Sequence, residues 1–229
     1  MRLRRLINIS DSELIKKIIP TLTFNFPYSA EDYEKKLYLE NYHCHKDFSN
    51  TSTPDCAELI NTYADRIHEF GAKCLYSGEH GSQGNQFQVY KVAESEHLKY
   101  VHSSEVYWVK DRKEKDRTNC HMIIVAKNAE GRGDINFALS MANIDGYYYK
   151  PRIDLELLFN IPKDNIIVTS ACVAGWNYED AEDIWLKIHE YFGDNFFLEV
   201  QYHNTDKQKE LNKKILRIAK ENNIQIICG

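Results

Sequence analysis

The sequence predicts an α/β fold in which seven strands form a (β/α) barrel, and three observations support this fold class. Short runs rich in β-branched and aromatic residues alternate with amphipathic segments of helical length. A chain of 229 residues, 43% of them hydrophobic, suffices for the core of one such domain. Polar candidates follow the first, second, fourth and fifth predicted strands and lie within the third. A closed barrel gathers such dispersed strand ends, whereas the alternative, an open doubly wound sheet, concentrates functional groups at one switch point.

Residues 1–36 form an N-terminal leader in this prediction, and residues 37–229 form the barrel domain. In the leader, Ser10 and Asp11 offer side chains suited to a helix N-cap. Residues 14–19 are mostly apolar and predict a short helix, which Pro20 ends.

Strands and helices are predicted in alternation within the barrel domain. The predicted strands cover residues 37–43, 73–77, 99–109, 120–126, 165–170, 196–201 and 224–228. The predicted helices cover residues 54–70, 86–96, 134–143, 179–192 and 206–222. Pro54 suits the first turn of its helix, and Gly71 suits the C-cap. Repeated strand–helix units predict parallel pairing, and the charged stretch 111–119 predicts a solvated loop.

The bulk composition excludes several classes of protein. The formal net charge is −5, so there is no overall basic excess of the kind that accompanies tight binding to duplex nucleic acid. The six cysteines lack paired CxxC spacing and are too sparse for a small disulfide scaffold, which indicates a reduced, cytoplasmic setting. No apolar run approaches the roughly 18 residues of a membrane span, so no membrane partner is expected.

The stretch His43-Cys44-His45 is the most informative part of the chain. Two imidazoles in i, i+2 register at the end of a predicted strand share a face, so both rings can reach one metal ion. An isolated pair of this kind is more often a surface feature, but further polar residues stand at or near the edges of predicted strands. These residues are Asp55, His80, Glu105, His121 and Cys172.

Each of these residues also has an ordinary structural interpretation. His80 could belong to a capped turn, His121 to a half-buried strand, and Cys172 to the core as a buried thiol. Glu105 stands in an apolar-aromatic run, where a buried carboxylate needs a partner, and a metal ion would supply one.

Several segments, in order along the chain, resemble motifs of the PHP domain family (polymerase and histidinol phosphatase). They begin with Tyr-His-Cys-His-Lys-Asp-Phe-Ser at residues 42–49 and continue with residues 79–81, 104–107, 121–131, 146–154, 170–175 and 192–201. The segments Tyr-Lys-Pro-Arg-Ile-Asp and Ala-Cys-Val-Ala-Gly are the most specific. They are similar to the branch of the family at the N terminus of bacterial or phage-encoded DNA polymerase III α subunits.

This resemblance implies a distorted seven-stranded barrel of the PHP type that holds up to three divalent metal ions through nine ligands. Asp47 is the alternative to Asp55 as the first carboxylate ligand, because extra residues precede Asp55. Two further ligands, an aspartate and a histidine, would follow the last strand, so the resemblance implies a fragment truncated at Gly229. The metals expected are zinc, manganese, iron or magnesium. The seven ligands placed in this sequence are His43, His45, Asp55, His80, Glu105, His121 and Cys172.

The implied chemistry is hydrolysis of a phosphoester. Two cations bridged by a carboxylate lower the pKa of a bound water and polarise a phosphoryl oxygen, so hydroxide becomes available near neutral pH. Arg152 and Lys150 are candidates for phosphate contact, because a guanidinium group matches the geometry of phosphate. The tyrosines at residues 147–149 could stack on a nucleobase, although packing is the more common role of such residues.

The resemblance leaves three functions open. The first is the N-terminal PHP domain of a replicative DNA polymerase with phosphoesterase or 3′→5′ exonuclease activity. Its partners would be a DNA 3′ end, the remainder of the polymerase chain and the proofreading subunit of the replisome. The second is a PHP scaffold that catalyses nothing. The third is a free-standing phosphatase of the histidinol-phosphate type, against which the polymerase-like segments at residues 148–154 and 170–175 argue.

Overall fold

The computed structural model of the protein describes residues 42–50 and 56–229. The predicted leader, the first five residues of the first predicted strand, and Asp55 lie outside these residues. In the described part, the helices are α1 (Ile60–Phe70), α2 (Gln86–Ser95), α3 (Ala129–Ile144), α4 (Leu155–Phe159), α5 (Ala181–Phe192) and α6 (Asp206–Asn222). The strands are β1 (Cys74–Tyr76), β2 (Glu79–His80), β3 (Lys99–Val101), β4 (Ser103–Trp108), β5 (Cys120–Ala126), β6 (Arg152–Ile153), β7 (Ile166–Thr169), β8 (Phe196–Val200) and β9 (Gln225–Cys228).

The larger of two sheets has the strand order β2-β4-β5-β7-β8-β9, and β6 also pairs with β4. The predicted parallel pairing is confirmed for β2 with β4, β7 with β8 and β8 with β9. It is wrong for β5, which is antiparallel to both β4 and β7. No helix separates Trp108 from Cys120 in the structure, so the chain returns directly from β4 and reverses its direction.

The run predicted as one strand at residues 99–109 divides at His102 into β3 and β4. The first half pairs with β1 in a separate two-stranded sheet, and the second half pairs with β2 in the larger sheet. Strands β2 and β6 have two residues each and helix α4 has five, so they are too short to leave a periodic pattern in the sequence.

The predicted helices are confirmed in position but not at every end. Gly71 ends α1 in the left-handed conformation, with φ of 68°, as its predicted C-cap role requires. Helix α1 begins at Ile60 rather than near residue 54, because the backbone N–H of Cys56 donates to the side chain of Asn50 instead of entering a helical turn. Helix α3 begins earlier than predicted, where the Asn128 side chain caps its first turn.

The main core lies between one face of the larger sheet and helices α3, α5 and α6. Trp185 of α5 is fully buried there, with its ring edge-on to Trp108 at 5.5 Å and stacked on Phe196 at 5.9 Å between centroids. Its indole nitrogen donates to the Gly175 carbonyl oxygen at 3.2 Å, so the buried polar atom is satisfied. This core fixes the strands whose other face carries the polar residues.

The inner face of the larger sheet gathers polar side chains, because successive residues of a strand point to opposite faces. Trp108 of β4 enters the main core, whereas Glu105 and Tyr107 face the other side. Across the ladders, His121 of β5 lies opposite Tyr107, and His80 of β2 is the register partner of Glu105. Three strands thus bring four polar side chains to one place.

Residues 42–46 lie between the two edges of the larger sheet. Tyr42 packs with Ile227 of β9 in a second apolar cluster. The Cys44 carbonyl oxygen approaches Gly78, next to β2, so closely that a Cβ at Gly78 would lie 2.9 Å from it. This segment closes the sheet into a distorted (β/α) barrel, which confirms the predicted fold class. No helix within residues 42–50 and 56–229 is long and apolar enough to cross a membrane.

Candidate metal centre

Glu105 is the centre of the polar cluster on the inner face of the sheet. Its side chain is only 1% exposed, and no cationic side chain of a lysine or arginine pairs with it among the described residues. Four imidazoles surround it instead. The distances to Glu105 Oε2 are 3.6 Å from His43 Nε2, 2.9 Å from His45 Nε2 and 3.1 Å from His80 Nδ1, and the distance from His121 Nδ1 to Glu105 Oε1 is 2.7 Å.

The cluster contains two overlapping triads, each with its ligand atoms within 4.8 Å of one another. One consists of His43, His45 and Glu105, and the other of His80, Glu105 and His121. Glu105 belongs to both triads, so its two oxygens can bridge two cations. Imidazole nitrogens and a carboxylate form a donor set that suits zinc, manganese or iron.

The geometry around Glu105 Oε2 fits a cation better than it fits hydrogen bonds. Three imidazole nitrogens lie within 3.6 Å of this buried oxygen, yet none of them makes a well-aligned hydrogen bond to it in the described residues. A buried carboxylate oxygen without a hydrogen bond is costly, and a bound metal ion would satisfy it. The residues present therefore fit a divalent metal centre.

Glu199 on β8 orients His43 from behind. Its buried carboxylate lies 2.7 Å from His43 Nδ1, which directs Nε2 toward Glu105. The hydroxyl of Tyr42 donates to Glu199 Oε2, and Gln201 Nε2 donates to Oε1 at 2.6 Å. Carboxylates that hold the second nitrogen of a metal-binding imidazole fix its tautomer and raise its basicity.

Glu79 orients His45 indirectly, through Ser49. The Ser49 hydroxyl donates to Glu79 Oε2 and lies 3.1 Å from His45 Nδ1. Glu79 is fully buried, and its charge is balanced by the fully buried Lys46, whose Nζ lies 3.4 Å from Oε1. Asn85 donates to the same oxygen at 2.6 Å. His43 and His45 are thus held by two separate carboxylates.

The imidazole rings pack against one another and against Tyr107. The rings of His45 and His80 stack at 4.1 Å between centroids, and Tyr107 stacks on the other side of His80 at 5.7 Å. His121 meets both Tyr107 and His80 edge to face. These contacts restrict the ring rotations and so preorganise the cluster.

Cys172 lies at the edge of the cluster. It follows β7, and its Sγ is 3.6 Å from His121 Nδ1 and 3.8 Å from Glu105 Oε1. The backbone enters this position through Ala171, which has a positive φ of 52°. The thiol is therefore adjacent to the triad of His80, Glu105 and His121, although it is not a member of either triad.

Contacts within the chain shift the pKa values of three groups of this cluster strongly. Burial disfavours a charged imidazole, but the adjacent Glu105 and Glu199 carboxylates outweigh it and raise the pKa of His43 to about 10. Burial opposes ionisation of Glu105 as well, yet hydrogen bonds from the imidazoles, led by His121, hold its pKa well below the usual range. Burial and the nearby Glu105 carboxylate raise the pKa of the Cys172 thiol to about 12.

Of the two candidates for the carboxylate at the first motif, Asp55 lies outside the described residues, and Asp47 belongs to neither triad. Asp47 sits in a 3-10 turn, Asp47–Ser49, and lines a separate pocket with Ile60 and Phe87. Asp55 as a ligand stays a prediction.

Arg152, predicted as a phosphate contact, is buried in a different network. Its three guanidinium nitrogens donate to the backbone carbonyl oxygens of Gly146, Asp116 and Arg112 at 2.7–2.9 Å. Arg112 is itself buried, and it binds Asp154 through Nη1, so the stretch 111–119 is not wholly solvated as predicted. Arg152 therefore ties loops together and does not line the cleft beside the metal centre.

An open cleft of about 770 Å³ adjoins the metal centre on the side of His80. Lys150 lines it, with Nζ 4.1 Å from the centroid of the Tyr107 ring, which also stacks on His80. Of the two predicted phosphate contacts, Lys150 is therefore the one beside the candidate ligands.

Sequence reasoning missed Glu199 as a site residue, although a signal was present. Glu199 stands in the strand Phe-Phe-Leu-Glu-Val, as Glu105 stands in an apolar-aromatic run. The argument that singled out Glu105, a carboxylate that needs a partner if buried, applies equally to Glu199.

Comparison with known proteins identifies the family. A family model described as "PHP domain" matches residues 41–203. The chain belongs to the PHP domain family. This PHP domain is also similar to curated proteins named DNA polymerase III subunit alpha. The protein from Aquifex aeolicus is 30% identical over 205 residues, which cover 81% of this chain and 17% of the relative. The protein from Treponema pallidum is 31% identical over 186 residues, which cover 75% of this chain and 16% of the relative.

The PHP domain is thus homologous to a part of these α subunits, and the match covers about a sixth of their length. A crystal structure from Bifidobacterium adolescentis, of a protein assigned as a metal-dependent phosphoesterase, superposes with a TM-score of 0.51 and 14% identity. The alignment covers 82% of this chain and 85% of that one. At this identity the likeness concerns the fold, and it supports the distorted barrel.

Proposed function

We propose that this PHP domain is a metal-dependent phosphoesterase module of a replicative polymerase of the DNA polymerase III α type, with 3′→5′ exonuclease activity on a DNA 3′ end. The observation that carries the proposal is the shared position of Glu105 in two triads of nitrogen and oxygen donors. Similarity to DNA polymerase III α subunits over 81% of the chain supports the polymerase context.

The proposed ligands follow from the geometry. His43, His45 and Glu105 would hold one divalent ion, and His80, His121 and Glu105 a second, with Cys172 adjacent. Asp55 would contribute to a third. Zinc, manganese, iron and magnesium are the candidates. Bound metal would supply a water of lowered pKa and polarise the phosphoryl oxygen.

The residues of this chain would then bind and orient. Glu199 and Glu79 hold His43 and His45 in position, so that the ligand nitrogens need no rearrangement when metal and substrate bind. Lys150 at the cleft would contact a phosphate oxygen as a point charge. The inner sheet face beneath the cluster is apolar, with Ile123 and Val125 buried, which limits the entry of water from that side.

The partners proposed are the remainder of a polymerase chain and a replisome proofreading subunit, because the curated relatives are about six times longer than the matched region. Two alternative functions are kept. A scaffold without catalysis would retain the barrel and need no metal turnover. A free-standing phosphatase of the histidinol-phosphate type would hydrolyse a small monoester.

The test is metal content combined with hydrolysis by the purified 229-residue chain. Metal is measured by elemental analysis after loading with zinc or manganese, and activity is measured on bis(4-nitrophenyl) phosphate, histidinol phosphate and a 3′-labelled single-stranded DNA. Glu105→Gln keeps the side-chain shape but removes the bridging charge. His68→Ala on the exposed surface of α1 is the matched control, because it also removes a histidine near a glutamate.

The proposal expects metal-stimulated release of the 3′ label, abolished by Glu105→Gln and by His43→Ala and unchanged in His68→Ala. Metal binding without hydrolysis of any of the three substrates would favour the scaffold. Hydrolysis of histidinol phosphate alone would favour the small-molecule phosphatase. Activity that survives in Glu105→Gln would exclude this cluster as the reaction centre.

A further inference from the structure

The cleft beside the metal centre has an unusual lining. Among the described residues, its walls carry no aspartate or glutamate, although the chain has 34 acidic residues against 29 basic ones. Lys150 is the one lysine or arginine in this part of the lining, and the other residues are aromatic, amide-bearing, small or, as with Leu139, Ile144 and Pro151, aliphatic. In a protein with net charge −5, a wall free of acidic groups favours an anionic ligand, because it avoids like-charge repulsion.

Two tyrosines with largely exposed side chains line this cleft. Tyr147 is 60% exposed and Tyr149 is 61% exposed, although the Tyr149 ring also meets the Tyr148 ring edge to face at 4.8 Å between centroids. Tyr149 has a positive φ of 61°, and the Arg117 guanidinium lies 3.9 Å from its ring centroid and bonds its hydroxyl. The cation holds the Tyr149 ring in place while most of the side chain stays exposed.

Amide side chains also line the walls of this cleft. They can both donate to and accept from the edges of nucleobases. Gln83 is the best defined of them, because its Nε2 donates to the Ser103 carbonyl oxygen at 3.0 Å. Its Oε1 is buried and has no hydrogen-bond partner among the described residues. The lining amides are Gln83, Gln86, Asn136 and Asn143.

The cleft is continuous with the candidate ligands. His80, a member of one triad, lines it, and so does Tyr107, which stacks on His80 and carries Lys150 over its ring. The cleft therefore brings exposed tyrosines, amide side chains and one lysine together with a candidate metal ligand.

We propose that this cleft is a binding site for single-stranded nucleic acid. Bases stack on Tyr147 and Tyr149, the amides contact base edges, and Lys150 contacts the phosphate that precedes the metal centre. The assignment of this strand as the substrate rests on the proposed phosphoesterase function. Stacking is tolerant of sequence, and duplex bases have no free face, so the site selects single strands with little base preference.

The test is fluorescence anisotropy of a labelled 12-nucleotide oligothymidylate with the full 229-residue chain, alongside hydrolysis of bis(4-nitrophenyl) phosphate. Tyr147→Ala and Tyr149→Ala should each weaken binding roughly 5- to 100-fold, which is the range for loss of one base–aromatic stack. Tyr147→Phe, which keeps the ring, should retain binding. Tyr202→Ala is the matched control, because Tyr202 is 57% exposed and lies outside the cleft.

The small substrate separates the two proposals. Hydrolysis of bis(4-nitrophenyl) phosphate reports on the metal centre without a nucleobase, and it should be unchanged in the control variant Tyr202→Ala, because Tyr202 is neither a proposed ligand nor part of the cleft. Binding that both alanine variants retain, or a duplex bound as tightly as the single strand, would overturn the cleft proposal. Tyrosine-dependent binding in a chain that hydrolyses neither substrate would leave the cleft in place and refute the phosphoesterase function. Thermal unfolding of each variant checks that a loss of binding is not a loss of folding.

Discussion

Two buried polar clusters of the barrel differ in whether their polar atoms find hydrogen-bond partners within the chain. Around Glu105, four imidazoles converge on one carboxylate, and its Oε2 gains no aligned hydrogen bond in the described residues. Around Arg152, each guanidinium nitrogen reaches a backbone carbonyl oxygen at hydrogen-bond distance. The first cluster leaves a buried carboxylate oxygen that a cation would satisfy, whereas the second is satisfied by backbone groups.

The same contrast appears among neighbouring residues. Arg112 binds Asp154 at 2.8 Å and also reaches Asp145 and Glu156, so every charge in that network meets its opposite within the chain. Converging polar groups with a buried atom that lacks a hydrogen-bond partner indicate a binding site. A network in which every polar group has a partner indicates a structural role. The comparison yields four predictions, ordered by the size of the expected effect.

Removal of the saturated network should cost the most stability. Arg152→Ala leaves three carbonyl oxygens without their donors, at about 1–3 kcal/mol each, so we expect the free energy of unfolding to fall by about 4 kcal/mol. Urea denaturation measures it. The control is Lys113→Ala, because Lys113 is exposed on the loop whose carbonyl oxygens Arg152 binds. This substitution should change stability by less than about 0.5 kcal/mol. An equally small effect of Arg152→Ala would break the comparison.

Acid should destabilise the fold through His102, which belongs to neither cluster. Burial, aided by the positive charge of Arg132, lowers the pKa of His102 to about 4. The unfolded state binds a proton at His102 near pH 6.5, whereas the folded state does not. The contribution of neutral His102 to the free energy of unfolding is therefore fully present above that pH. It is lost as pH falls from about 6.5 to 4, by about 3 kcal/mol in all.

The loss of stability caused by His102 at low pH adds to any loss from the histidine cluster. It must be subtracted before the pH dependence of that cluster is compared with that of the arginine network, which contains no histidine. His102→Gln should flatten stability across this pH window relative to the wild type, as measured by urea midpoints at several pH values. A slope of the opposite sign, with stability rising toward pH 4, would contradict the assignment.

Glu105→Gln should lower metal affinity by at least about 100-fold, because it removes the bridging charge from both triads. Competition with a chelating dye measures the dissociation constant. Arg152→Lys, which perturbs only the saturated network, should leave the affinity within about twofold. Equal losses in both variants would mean that metal binding follows general stability rather than the cluster.

Glu199→Gln should have a smaller effect on affinity, of about 10-fold, because Glu199 acts on His43 rather than on the metal. The amide can still accept a hydrogen bond from His43 Nδ1, but it no longer raises the basicity of the ring. The absorption bands of a cobalt-substituted protein should shift with little loss of binding. Unchanged spectra would exclude Glu199 from the orientation of His43.

Much of the fold follows from local pattern, and the exceptions have physical causes. Helix α6 has the predicted bounds, 206–222, because its apolar stripe and its Thr205 cap are both local signals. The direction of β5 is set by the absence of a helix after β4, and a loop of eleven residues leaves either direction open in the sequence. Strand β6 has only two residues, so its pairing with β4 depends on tertiary contacts and has no local signal in the sequence.

The candidate site was predictable where histidines or a carboxylate stand within or beside an apolar strand. His43, His45, His80, Glu105 and His121 converge as the family motifs imply, and Cys172 lies beside them. The role of Arg152 was not predictable, because its partners are carbonyl oxygens of residues 112, 116 and 146, and backbone acceptors leave no mark in a sequence. The roles of Glu79 and Glu199 in positioning His45 and His43 were not predictable either, because they depend on which side of each imidazole ring is buried.

Gly78 binds no ligand, yet it controls the spacing of the metal centre. The segment that carries His43 and His45 rests against its missing side chain, while His80 follows it by two residues on the opposing strand. Even a methyl group there would push one pair of imidazoles away from the other. In a metal-loaded cluster, the ionic radius accepted would thus depend on a residue without donor atoms, and metal selectivity would change even though every ligand residue is kept.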